Sequence, residues 1–186
     1  MVSLGSPRVT AQIAPGRRSR ATASRDDAED FRQLFEATRA RVVRTVWYVV
    51  HDDEVAQEIT QDAFLALFRH WRKVRSYDRP DLWVRRVALH KAQREATRMR
   101  RRDHLERTAN LPSGPDALPD PELLDAIGAL SPRQRAVVVL YYLEDRPMEE
   151  VADLVGCSTS TGFVHLHKAR RRLAELLSEE VESDVD

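Results

Sequence analysis

A chain of 186 residues suits one or two small domains. Its 30 Lys and Arg balance 30 Asp and Glu, so no net charge commits it to a polyanion, yet charged residues reach 32%, above the globular norm. A single cysteine, Cys157, excludes a disulfide framework, no apolar run approaches bilayer length, and the N-terminus lacks an apolar signal core. Together these features fit a cytoplasmic protein. Six glycines and few strand-like runs point to an all-α fold.

Residues 1–26 are rich in Ser, Pro, Gly, Ala and Arg without periodicity, the composition of a disordered basic arm. Asp26 or Asp27 can cap a first helix, along which Phe31, Leu34, Phe35, Val42, Val43, Val46, Trp47 and Val50 recur at helical spacing. His51, Asp52, Asp53 and Glu54 have the make-up of a carboxylate–histidine site, but a cap-rich loop between helices explains them better. A second helix is predicted over 53–74, with Val55, Ile59, Ala63, Leu67 and Trp71 along one face. Its other face mixes Glu58, Gln61 and Asp62 with Leu65. Phe64 and Phe68 widen the apolar part, as core or as a docking surface.

Residues 75–81 (RSYDRPD) read as a loop, and a third helix follows to about residue 107. Its first half carries Leu82, Trp83, Val84, Val87, Ala88 and Leu89. Its second half shows no apolar face and is surrounded by Lys91, Arg94, Arg98, Arg100, Arg101 and Arg102. Over 85–107 there are nine Arg or Lys against three acids, so overall neutrality hides a basic strip suited to a polyanion. Residues 109–121 hold four prolines and a glycine within NLPSGPDALPDP, a flexible linker. The expected organisation is therefore two small helical domains, over 27–108 and 122–178, with an acidic tail at 179–186.

The second domain opens on a short amphipathic helix through Leu123, Leu124, Ile127 and Leu130. Ser131, Pro132 and Gln134 then have the spacing of a capping box with proline in the first turn. The helix they start runs to Leu143 and is broken by Glu144, Asp145, Arg146 and Pro147. A helix from Met148 to Val155 ends at Gly156, where a positive φ is wanted. Ser158, Thr159 and Ser160 can cap the last helix, which carries His165, His167, Lys168, Arg170, Arg171 and Arg172. Helix, glycine turn and basic helix form the helix-turn-helix pattern, whose second helix enters a major groove. A helical hairpin with a solvated basic face has the same spacing.

Other chemistry is poorly supported. Cys157, His165 and His167 are too few and too divergent for a tetrahedral zinc site, so no metal and no cofactor are expected. Cys157 reads as a buried thiol. No phosphate loop and no nucleophile–base pair appears, which argues against an enzyme.

Three stretches resemble the extracytoplasmic-function (ECF) sigma factors, the minimal two-domain members of the bacterial primary-sigma superfamily. VAQEITQDAFLALFRHW (55–71) is similar to the region-two helix that grips the polymerase β′ clamp helices. DLWVRRVALHKAQREATRMRR (81–101) is similar to the promoter-melting helix. LSPRQRAVVVLYYLEDRPMEEVADLVGCS (130–158) with LHKARRRL (166–173) is similar to region four. The neighbourhood of Trp71, Pro80, Trp83, Arg85 and Arg86 further resembles an actinobacterial subgroup.

The resemblance implies a promoter-specificity subunit with no chemistry of its own. Glu58, Ile59, Gln61, Asp62 and Leu65 would dock on core RNA polymerase. Tyr77, Arg79, His90, Lys91, Arg94, Arg98 and Arg101 would meet the −10 element. Thr161, Phe163, His165 and Lys168 would read the −35 major groove, with Arg170, Arg171 and Arg172 on backbone phosphates. Region four would rest on the β flap, and the linker would thread toward the RNA exit. An anti-sigma factor is a further partner that the resemblance implies. The competing reading is a stand-alone helix-turn-helix regulator, which leaves the first domain unexplained.

Several positions depart from the family. Glu58 stands for the usual aspartate, and Leu89-His90 for Arg-Asn. Gly162 stands for a valine that packs near Ala152, Phe163-Val164 for Lys-Ser, and His165 for an arginine. Phe163 has two readings, a contact to a thymine methyl or a fold back into the gap left by Gly162.

Overall fold

The computed structural model describes residues 20–103 and 121–183, with side chains over 26–102 and 122–178. Helices α1 (Arg20–Val50), α2 (Asp53–Val74) and α3 (Pro80–Asp103) pack into a first lobe. Helices α4 (Pro121–Ala129), α5 (Pro132–Val138), α6 (Met148–Val155) and α7 (Thr159–Ser183) form a second. No strand occurs among the described residues.

The local signals set most of these boundaries. Asp52 caps α2, its Oδ1 accepting from Val55 N at 2.9 Å. Ser131 and Gln134 close a reciprocal capping box on α5. The helix then widens into a π-helical turn over Val139–Leu143, and Glu144 N reaches Val139 O at 3.1 Å. Pro147 stands at the N-cap of α6.

Three expectations change. The arm expected over 1–26 is helical from Arg20 onward, so Asp26 and Asp27 lie inside α1 rather than capping it. Arg and Ala in that stretch are good helix formers and nothing there interrupts the turn. Asp27 instead lends its carbonyl to Trp71 Nε1 at 2.8 Å and its carboxylate to Arg75. The acidic tail is helical through Ser183 as the end of α7. The second half of α3 does have an apolar face: Ala92 and Ala96 are buried and Met99 packs against the core. Alanines escape a search for large apolar residues, yet they continue the stripe of Val84, Ala88 and Leu89 at helical spacing. Residues 104–120, and with them all of the expected linker but Pro121, lie outside the described residues, while Pro121 opens α4.

The hydrophobic core is continuous through both lobes. Trp47, Leu67 and Leu89 of the first lobe and Leu140 and Leu154 of the second are fully buried. Helices α5 and α6 lie on α3, and α5 also meets α1. Helix α6 thereby touches both basic helices, α3 and α7.

Candidate nucleic-acid interface

The helix-turn-helix is built around Gly156. Its φ of 80° is left-handed, and both Gly156 N and Cys157 N donate to Ala152 O at 2.9 Å. Ser158 Oγ then accepts from Thr161 N at 3.2 Å and caps α7. Thr161 Oγ1 lies 2.8 Å from Ser158 Oγ, so Thr161 braces the cap as well as facing solvent. Cys157 is half-buried, and burial pushes its thiol pKa up.

Gly162, Leu166 and Ala169 of α7 face inward. A Cβ on Gly162 would sit 2.7 Å from Met148 Sδ, so Met148 already fills the space that a valine would take. Phe163 therefore has no gap to fill and is 51% exposed, as is Val164. His167, Lys168, Arg170, Arg171 and Arg172 are also exposed, with Glu175 pairing Arg171 at 3.0 Å and Arg172 at 3.4 Å. His165 is half-buried. Desolvation first, then the cations Arg133 and Lys168, lower its pKa.

The basic face of α3 is divided. Tyr77 in the loop and Arg94, Arg98 and Arg101 on the helix are exposed, with Arg98 bonded to Glu95 at 2.9 Å. Arg79 is held by Asp81 at 3.0–3.1 Å and reaches Glu150 of α6 at 3.7 Å. Arg86 pairs with Asp153 of α6 at 3.0 Å. His90 lies against the helix-turn-helix glycine, 2.8 Å from where a Gly156 Cβ would stand. Its pKa is lowered by burial and then by Arg86, Arg94 and Arg133.

Family models match both lobes: Sigma-70 region 2 over residues 34–103 and Sigma-70 region 4 over 121–173. The RNA polymerase sigma-E factor of Streptomyces coelicolor is 30% identical over 163 residues, spanning 84% of this chain and 89% of that protein. The chain belongs to the ECF family of RNA polymerase sigma factors. The sigma factor CarQ of Myxococcus xanthus is 28% identical over 83% of this chain and 94% of its own. Two solved structures share the fold. RpoE of Bartonella quintana, bound to the anti-sigma factor NepR, has a TM-score of 0.64 at 20% identity, covering 81% of this chain and 98% of that one. CnrH, bound to the cytosolic domain of CnrY, has a TM-score of 0.59 at 22% identity, covering 86% and 94%. A stand-alone regulator would leave the region 2 match unaccounted for.

On the first lobe of this sigma factor, Glu58, Gln61, Asp62 and Leu65 stand exposed on α2. Ile59 does not: at 8% exposure it belongs to the core, on the same stripe as Ala63 and Leu67, and is withdrawn from the docking set. Beside Gln61 and Leu65 runs a groove of about 480 Å³ lined by Phe31, Phe35, Phe64 and Phe68. Lys91 joins two predicted sites, since its Nζ pairs with Asp62 at 2.6 Å.

The residues that sequence reasoning missed are the buried charges between the lobes. Arg85, 4% exposed, donates to Glu144 Oε2 at 2.8 Å. Arg146 meets the same oxygen at 2.9 Å, and Thr45 takes the other. Arg135, 6% exposed, has no carboxylate partner among the described residues. Its guanidinium donates to Val49 O at 2.8 Å, Leu130 O at 3.1 Å, His51 Nδ1 at 3.1 Å and Gly128 O. Val49 lies in the last turn of α1, while Gly128 and Leu130 lie at the end of α4, so Arg135 sits at two helix C-termini, where a cation is favoured. Desolvation lowers Arg135 to about 10. Burial first, and Arg135 next, hold His51 at about 4, so His51 is a neutral acceptor at neutral pH. A signal was present in the sequence. Arg85 shares its helical face with Ala88, Leu89 and Ala92, and Arg135 shares its own with Val138 and Val139.

Proposed function

We propose that this sigma factor binds core RNA polymerase, brings it to promoters and assists opening of the duplex, contributing recognition rather than catalysis, in the cytoplasm. No helix among the described residues is long and apolar enough to cross a membrane. Glu58, Gln61, Asp62 and Leu65 dock on the β′ clamp helices, with the adjoining aromatic groove as the apolar part of that surface. Helix α7 enters the −35 major groove on its Thr161–Lys168 face, while Arg170, Arg171 and Arg172 hold phosphates. Region four rests on the β flap. Tyr77, Arg94, Arg98 and Arg101 meet the −10 region first, and Arg79, His90 and Lys91 join once their present partners release them. An anti-sigma factor is a partner of this chain, as NepR is for RpoE in their solved complex.

The observation that carries this reading is the pairing of an open helix-turn-helix on one lobe with a second basic helix on the other. The test is transcription in vitro by core polymerase from a related bacterium, with and without this protein, on a pooled genomic promoter library. Discrete new transcripts are expected. Their absence, with no co-elution of protein and core polymerase, would refute the proposal.

A further inference from the structure

The outward face of α7 carries an apolar pair where a nucleic-acid reader ordinarily carries hydrogen-bonding groups. Each residue turns about 100° around the helix axis. With Gly162, Leu166 and Ala169 inward, Val164 falls at the centre of the outward face and Phe163 on its flank. Both lie within the first two turns of a helix that begins at Thr159, and the leading turns of a recognition helix are the part that reaches base edges. Cations at Lys168, Arg170, Arg171 and Arg172 follow along the exposed side, so the surroundings suit a phosphate-lined groove. The inward alternative is closed, because Met148 occupies the space beside Gly162.

Neither side chain can donate or accept a hydrogen bond. In a major groove the one apolar feature that the four base pairs display is the thymine C5-methyl. We infer that Phe163 and Val164 make this factor select thymine within its −35 element by contacting thymine methyl groups. The inference rests on the promoter-binding function and deepens it.

Uracil differs from thymine by that methyl alone, which makes the test clean. Holoenzyme assembled from core polymerase and the full chain would first select from duplexes randomised across the −35 window. Each selected thymine is then replaced by deoxyuridine, one at a time on each strand. Loss of about fourfold in transcription per contacted methyl is expected, from about 0.8 kcal/mol per buried carbon. A chain carrying Phe163→Ala and Val164→Ser should transcribe the two templates equally. Selected elements without thymine, or deoxyuridine templates as active as the parent, would overturn the inference while leaving sigma activity standing. Failure to select any sequence or to join core polymerase would remove both.

Discussion

The arginines of the lobe interface and those of α7 are the same residue type under opposite conditions. Arg85 and Arg135 are almost wholly removed from water, and each of their bonds is made to a fixed protein oxygen or nitrogen. Arg171 and Arg172 extend into solvent and share one glutamate. Buried cations stripped of a partner are expensive, whereas solvated pairs contribute little to stability. The interface arginines therefore hold the molecule in one arrangement, and the arginines of α7 remain available to an incoming polyanion.

The sharpest way to break that contrast is Glu144→Ala. It leaves Arg85 and Arg146 buried without their shared carboxylate, and a loss of about 3–5 kcal/mol is expected in urea unfolding. His51 gives the next effect. Its folded pKa of about 4 lies below the ordinary 6.5, so the unfolded chain binds a proton that the folded chain refuses. That contribution is fully present above about pH 6.5 and is lost as pH falls through about 4, a change of about 3 kcal/mol. His51→Gln should flatten this part of a stability-versus-pH curve measured by denaturant titration.

Gly156→Ala sharpens the comparison at the point where the lobes touch. A left-handed φ disfavours any L side chain by about 1–2 kcal/mol, and the new Cβ would also press on His90. A thermal melt should show the loss, and adding His90→Ala should recover the steric part while leaving the backbone part. The smallest stability effect belongs to α7. Arg171→Ala or Arg172→Ala should change stability by less than about 0.5 kcal/mol. Each should lower the salt-dependence slope of holoenzyme–DNA binding by about 1, as read from filter binding across salt concentrations.

Much of this molecule can be read along the chain, because caps, glycine turns and helical periodicity act over a few residues. The capping box at Ser131, the start of α2 after Asp52 and the limits of α6 at Met148 and Val155 are all short-range effects. So is the left-handed Gly156, and with it the helix-turn-helix and the outward basic face of α7. The sequence by itself therefore determined the helical class, the order of the two sigma regions and the candidate surfaces of α2, α3 and α7.

Only tertiary packing decided which candidates are free. It took Ile59 into the core, seated His90 on Gly156, and paired Lys91 with Asp62. It also converted Arg85 and Arg135 from members of a basic pattern into buried links between lobes. Those outcomes join residues as far apart in the chain as Val49 and Arg135, or Arg85 and Glu144. Helical spacing can place a side chain on a face, but the partner that desolvates and binds it comes from another part of the chain, and that choice is made when the lobes pack.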